Sequence, residues 1–194
     1  MSVLITDRLN NGLSNESINK VNKVNKVNKV NKLSEINEHI SSKMLFKTKA
    51  QEDCYKKIKP WIEELFKEIL VADKFIPMFS IPFRSAITYV IINPWNDDSI
   101  ITVRSYVVYG AKLTPELLYF LLRKNVSMRF GAFGIDEDGE IIFECNLIGS
   151  TCDKEELNAS VIEVMRMSNK YDDEIINKWG GQRAIDLIKQ PLAV

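Results

Sequence analysis

The sequence predicts an α+β domain, an antiparallel sheet with helices packed on it in the order α-β-β(-β)-α-β-β-α. Three observations carry this. The stretch Arg129 to Glu156, RFGAFGIDEDGEIIFECNLIGSTCDKEE, reads as strand, tight turn, strand and the capped start of a long helix. Upstream, RSAITYVIINPW and SIITVRSYVVYG are β-branched, aromatic-rich runs joined by an Asn96-Asp97-Asp98 turn, the pattern of an antiparallel hairpin. Around them, apolar residues recur at the three- and four-residue steps of amphipathic helices.

The composition supports a packed core and constrains the partner. The chain has 194 residues, 45% of them apolar, with nine Phe and three Trp. Its net charge of zero hides an asymmetry: residues 1–50 hold nine Lys/Arg against four Asp/Glu, leaving 17 against 22 afterwards. The remainder, about −5, is a poor electrostatic match for a phosphate backbone, so no nucleic-acid partner is expected. The amino-terminal segment lacks the apolar run of a signal peptide, and no stretch approaches the roughly 18 apolar residues of a membrane span. The expectation is a cytoplasmic protein. Cys54, Cys145 and Cys152 are odd in number and not closely paired, as reduced structural thiols would be. With His39 as the one histidine, no metal site and no cofactor are expected.

Taken in order, residues 1–48 form a low-complexity extension. Four copies of Val-Asn-Lys run from Val21 to Lys32 after the near-copy Ile18-Asn19-Lys20. On an α-helix the valines drift by about 60° per repeat, and on a strand they alternate faces, so neither element acquires an apolar side. A solvated tail is the expectation, with a basic arm for a membrane surface or an acidic partner as the alternative. Leu33, Ile36, Ile40 and Met44 then keep helical spacing. The main domain is placed at 49–181 and a tail at 182–194.

From about 50 to 74, Cys54, Ile58, Trp61, Leu65, Ile69 and Ala72 form a helical stripe. Pro60 either kinks this helix or occupies its first position, because an interior proline costs about 3 kcal/mol. A connector broken by Pro77 and Pro82 has room for an edge strand near Phe79 to Ile81. In the next hairpin, Ile101, Val103, Ser105, Val107 and Tyr109 share one face of the second strand; Ile100, Thr102, Arg104, Tyr106 and Val108 share the other, wetter face. Thr114 and Pro115 then start a helix, and its LLYFLL run is apolar almost all round. Such a helix is either enclosed in its own core or shared with a second subunit.

The central hairpin permits a register argument. A three-residue loop, Glu137-Asp138-Gly139, with Gly139 left-handed, aligns Ile135 with Ile141 and Phe133 with Phe143. A two-residue loop would set Phe133 beside Glu144 and mix the faces, so the three-residue loop is expected. Asp136, Asp138 and Gly139 lack the spacing of an EF-hand, and Gly131-x-x-Gly134 opens no helix, so neither is read as a binding loop. Asp153 and Glu156 form a capping box for the longest helix, whose stripe is Leu157, Val161, Val164, Ser168, Tyr171, Ile175 and Trp179 before Gly180-Gly181. The acidic run Tyr171 to Glu174 is read as a solvated face. A short terminal helix at about 183–189 packs back through Ile185 and Leu187.

RFGAFGIDEDGEIIFECNLIGSTCDKEEL and the later YDDEIINKWGG, in this order of elements, resemble the YbjN-type family, whose fold is like that of type III secretion chaperones, and especially its cyanobacterial members of unknown function. The likeness covers about residues 50–181. It implies a compact α+β homodimer without established catalytic residues, and secretion chaperones of similar fold bind extended segments of effector proteins. Three classes follow: a non-enzymatic, chaperone-like protein binder, an oligomeric scaffold or regulator, and an enzyme with an unrecognised site. The first is favoured. Its candidate partner-binding residues are Arg104, Tyr106, Ala132, Ile142, Glu144 and Asn146, where Arg and Tyr can anchor a partner and small residues allow close approach.

Overall fold

A computed structural model describes residues 44–188, although the side chains of Leu187 and Ile188 fall outside that description. The Val-Asn-Lys array and the helix expected after it also lie outside the described residues. The described residues fall within one compact unit. Its elements are α1 (Lys49–Phe66), β1 (Val71–Ala72), β2 (Met78–Phe83), β3 (Ala86–Trp95), β4 (Asp98–Val108), α2 (Pro115–Asn125), β5 (Ala132–Ile135), β6 (Ile141–Ile148), α3 (Lys154–Trp179) and α4 (Ala184–Ile188). The strands make one antiparallel sheet in the order β1-β2-β3-β4-β6-β5.

Period-two alternation puts one side of this sheet into the core. Phe79, Ile81, Val90, Ile92, Ile101, Val103, Phe143 and Leu147 pack there against Ile58 and Ile62 of α1 and Leu157, Val161, Val164 and Ile175 of α3. The central hairpin has the expected register, Ile135 opposite Ile141 and Phe133 opposite Phe143. Its loop is also as expected: the Gly139 amide donates to the Asp136 carbonyl at 3.1 Å, the Asp136 amide donates to the Glu140 carbonyl at 3.1 Å, and Gly139 has φ +85°. The Asp136 carboxylate accepts from the Asp138 and Glu140 amides, so the acidic side chain stabilises the turn.

Several sequence expectations are corrected. Helix α1 ends at Phe66, and Pro60 lies within it on the exposed side, so it neither starts nor ends the helix. Past Pro60 the buried residues are Ile62 and Phe66, with Trp61 and Leu65 only partly buried, while Ile69 lies in the exposed connector and Ala72 in the exposed strand β1. The β3–β4 turn has two residues, because Asp98 pairs with Trp95, and Asn96 supplies its positive φ of +50°. A bulge after Tyr106 moves Val108 into the core and Tyr109 onto the wetter face, reversing the simple alternation at that end. Asp172 is buried, not solvated. Of the two readings of α2, enclosure fails: only Leu117 and Leu121 are buried, whereas Tyr119 and Leu122 are each 66% exposed.

Polar groups fasten these layers. Lys57 Nζ donates to the carbonyls of Gly149, Ser150 and Cys152 at 2.6, 3.2 and 3.0 Å, tying α1 to the loop between β6 and α3. From the other side, the Asp98 carboxylate accepts from the Ser150 amide and hydroxyl, which holds its pKa below the ordinary value. A side chain at Gly149 would collide with Ser99 Oγ and approach Cys54 Sγ to 3.0 Å, so this crossing admits only glycine. At the sheet edge, Asn125 at the end of α2 acts as a short substitute strand. Its Oδ1 accepts from the Phe133 amide at 2.7 Å and its Nδ2 donates to the Phe133 carbonyl at 3.1 Å.

Replacing Asn125 by Ala leaves both Phe133 backbone groups without this partner. The expected loss is about 1–3 kcal/mol, read as a lower urea midpoint, together with concentration-dependent association through the uncovered edge.

Candidate functional site

The candidate site is the sheet face opposite the main helices. Register brings all six sequence-predicted residues together there: Tyr106 lies opposite Ile142, Arg104 opposite Glu144, Thr102 opposite Asn146, and Glu144 opposite Ala132 on its other side. Arg104 reaches the Glu144 carboxylate through Nε at 2.6 Å and Nη2 at 2.5 Å. Glu144 Oε1 accepts from Asn146 Nδ2 at 3.1 Å, and Asn146 Oδ1 accepts from the Thr102 hydroxyl at 2.7 Å. This chain of contacts holds four side chains flat on the sheet. Burial disfavours the Arg104 charge, but the hydrogen bond and attraction from Glu144 outweigh it and raise the guanidinium pKa.

Beside this network, Ala132, Gly134, Ile142, Glu144 and Asn146 line a shallow hollow of about 390 Å³. The small residues at 132 and 134 are what leave it open. On the other flank, tyrosines form a row. Tyr89 meets Tyr106 edge-on with centroids 6.2 Å apart, and Tyr106 stacks on Tyr109 at 5.0 Å. Burial raises the phenol pKa of Tyr89 and Tyr109, and for Tyr109 the neighbouring tyrosines, Glu140 and Asp136 add to it. Tyr89 and Tyr109 therefore stay neutral at physiological pH. Sequence reasoning found Tyr106 but missed Tyr89 and Tyr109. Alternation along β3 and the pairing of Tyr89 with Arg104 were the available signals for the first; only the bulge places the second.

Two larger hollows, each about 580 Å³, lie elsewhere. One is lined by Lys57, Trp95, Asp98 and Ser150, but its Lys57 and Asp98 are already engaged with backbone and Ser150. The other lies between the β2–β3 turn and α3, lined by Phe83, Arg84, Ile162 and Arg166. Among the described residues no group of three or more His, Cys, Asp or Glu is placed to hold a metal ion, and no helix is long and apolar enough to cross a membrane.

The main helices back one side of the antiparallel sheet, and the other side presents a half-polar face with a shallow hollow. The chain belongs to the family described as T3SS (YopN, CesT) and YbjN peptide-binding chaperone 1, whose model matches residues 58–187. The resemblance read from the hairpin-to-helix stretch is thereby confirmed. Among solved structures, the chain is similar to one in the crystal structure of the ExsC-ExsE complex, with 14% identity and a TM-score of 0.49 over 62% of this chain and 95% of that one. It is also similar to the Yersinia pestis type III secretion chaperone SycH in complex with a stable fragment of YscM2, with 13% identity and a TM-score of 0.43 over 60% and 98%. No curated protein matches.

Cys145 is among the residues lining the shallow hollow of the sheet face, whereas Cys54 and Cys152 do not line it. Cys54 and Cys152 are buried and Cys145 is half-buried with its Sγ 3.9 Å from Ser160 Oγ. Burial raises all three pKa values, that of Cys152 from 9.0 to about 12. Native thiol titration at pH 8 is therefore expected to be slow, with Cys145 reacting first and Cys54 and Cys152 only on unfolding. Above about pH 9 the unfolded chain releases thiol protons that the fold retains, so stability falls as pH rises. Each affected thiol contributes a slope approaching about 1.4 kcal/mol per pH unit, measurable by urea unfolding between pH 9 and 11.

Proposed function

We propose that this protein is a non-enzymatic, chaperone-like binder of extended protein segments, working in the cytoplasm as a homodimer. The observation that carries the reading is the face built from Arg104, Tyr106, Ala132, Ile142, Glu144 and Asn146. It combines aromatic and guanidinium anchors with a floor of small residues, which suits a segment lying along the strands. Family membership supports peptide binding, and the acidic balance of residues 51–194 favours a protein over a nucleic acid. The test is affinity capture of partners from the native cell by wild type and by the exchange Arg104→Glu with Glu144→Lys. The exchange retains an ion pair across β4 and β6 while reversing what a partner meets. Wild type is expected to capture a defined partner, and the exchange variant, with an unchanged melting temperature, to lose at least about tenfold of it. Equal capture by both would remove the binding site from this face.

The dimer reading rests on α2. Leu118, Tyr119, Leu122 and Val126 expose 40%, 66%, 66% and 84% of their surface, a concentration of apolar area on one short element. A twofold axis beside α2 would cover these residues with their own copies. Sedimentation at micromolar concentration should show a dimer for wild type and a monomer for Tyr119→Glu with Leu122→Glu. A wild-type monomer at that concentration excludes both the homodimer and the alternative of a self-associating scaffold.

A further inference from the structure

The hollow between the β2–β3 turn and α3 has a charge unlike the rest of the domain. Phe83, Ile162 and Met165 supply its apolar lining, Arg84, Arg166 and Lys170 supply its charge, and no carboxylate lines its volume of about 580 Å³. Residues 51–194 carry 17 Lys/Arg against 22 Asp/Glu, so this is a cationic site in an acidic domain. Phe83 and Ile162 are 40% and 47% exposed, which leaves apolar surface open beside the cations.

The two walls are fastened to each other. Pairing of Phe83 with Ala86 leaves a two-residue turn, Arg84-Ser85. The Ser85 amide donates to Asn169 Oδ1 at 3.0 Å, and its hydroxyl lies 2.7 Å from the same oxygen and 2.5 Å from Asp172 Oδ2. Asn169 is fixed in turn by donating through Nδ2 to the Met165 carbonyl at 2.8 Å. Along α3, Ile162, Arg166 and Lys170 recur at four-residue steps and share one exposed row. The hollow is thus formed before any ligand arrives, which lowers the cost of binding.

The fold does not use up these cations. Arg166 pairs with Glu163 at 2.9 Å, yet its side chain stays 61% exposed. Among the described residues, Arg84 and Lys170 form no ion pair. They lie over rings, Arg84 5.3 Å from the Phe83 centroid and Lys170 5.0 Å from that of Tyr171. The attraction of Lys170 for Glu174 is smaller than those of Lys124 and Lys178. Nor does the turn explain Arg84. Its φ of +55° lies in the left-handed region, which glycine enters freely and other residues disfavour. A position that glycine would serve better carries a guanidinium beside the hollow.

We propose that this hollow is a second binding site, which takes an acidic segment of a protein partner, one apolar side chain seated against Phe83 and Ile162 and flanking carboxylates meeting Arg84, Arg166 and Lys170. Guanidinium groups suit that role because they meet a carboxylate with two parallel hydrogen bonds. A protein segment is favoured over an anionic membrane: a concave pocket takes a single side chain, and the acidic balance of the domain opposes a bilayer of the same sign. The site stands independently of the sheet face.

The test uses the full chain and a labelled synthetic peptide that alternates Leu with Asp and Glu, read by fluorescence anisotropy at low and physiological salt. Wild type is expected to bind it, more weakly as salt is added. Arg84→Gly with Lys170→Gln should weaken binding at least about tenfold without lowering the melting temperature, since glycine accepts the φ at position 84. A purely structural role for Arg84 would not separate the two readouts in this way. Peptides with Asn and Gln in place of the acids, or Ser in place of Leu, should each bind at least about tenfold less tightly. The exchange of Arg104→Glu with Glu144→Lys should leave peptide affinity unchanged, so failure here and failure of the sheet face are distinguishable. Loss of peptide binding in that exchange alone would move the segment to the sheet face and overturn the inference. So would absence of binding by wild type, equal affinity for wild type and the Arg84→Gly, Lys170→Gln variant, or cosedimentation with phosphatidylserine vesicles that depends on Arg84 and Lys170 while the peptide is not bound.

Discussion

The central constraint is that β6 is hydrogen-bonded on both sides, to β4 and to β5, and can satisfy the core in one register only. Its residues 141, 143 and 147 enter the core, and residues 142, 144 and 146 are committed to the opposite face. A slip of one residue would bury Glu144 and expose Phe143, losing about 2 kcal/mol or more of apolar burial and adding an uncompensated charge. The three-residue turn before β6 and the Asp153 cap after it agree with this register. The position of α3 over the sheet follows from the same choice, because the chain leaves β6 through the Gly149 crossing.

Once that register is set, polar groups determine how the layers are joined. Lys57, Asp98 and Asp172 each join elements far apart in sequence, and Asn125 joins the consecutive α2 and β5; each does so through hydrogen bonds to backbone or to a short side chain. The division is physically sensible: charges engaged with carbonyls and amides at element ends cost less to bury than free ones, and they leave the middle of the outer face with polar groups that a partner can meet. The C-terminal segment closes the end of β4, where Gln182 pairs with Tyr109, and brings Arg183 to Asp172.

A shallow face with two ends of different character also gives a reason for the small residues on β5. Ala132 and Gly134 remove the side chains that would otherwise stand over Ile142 and Glu144. The hollow this leaves suits an extended chain, which needs backbone access more than depth. At the other end the stacked phenols offer area that loses little conformational freedom on contact, because each ring has few torsions to fix.

Much of this was determined by sequence alone. Alternation in SIITVRSYVV and EIIFECNL assigned the faces of β4 and β6, and turn chemistry at DEDG set the partnership of β6 with β5, because period and turn type are local properties. All six candidate residues could therefore be grouped before any coordinates were known. What only the tertiary structure decided depends on contacts between distant segments. Pro60 stays inside α1 because its exposed side tolerates the missing donor; Tyr109 changes face because of a bulge that no local period announces; Asp172 is buried because Ser85 and Arg183 come to it; and α2 keeps an uncovered apolar side because the core beneath it is already full. Charge pairing and coverage across a fold are set by packing geometry, and a linear pattern carries that information only where both partners lie within the same element.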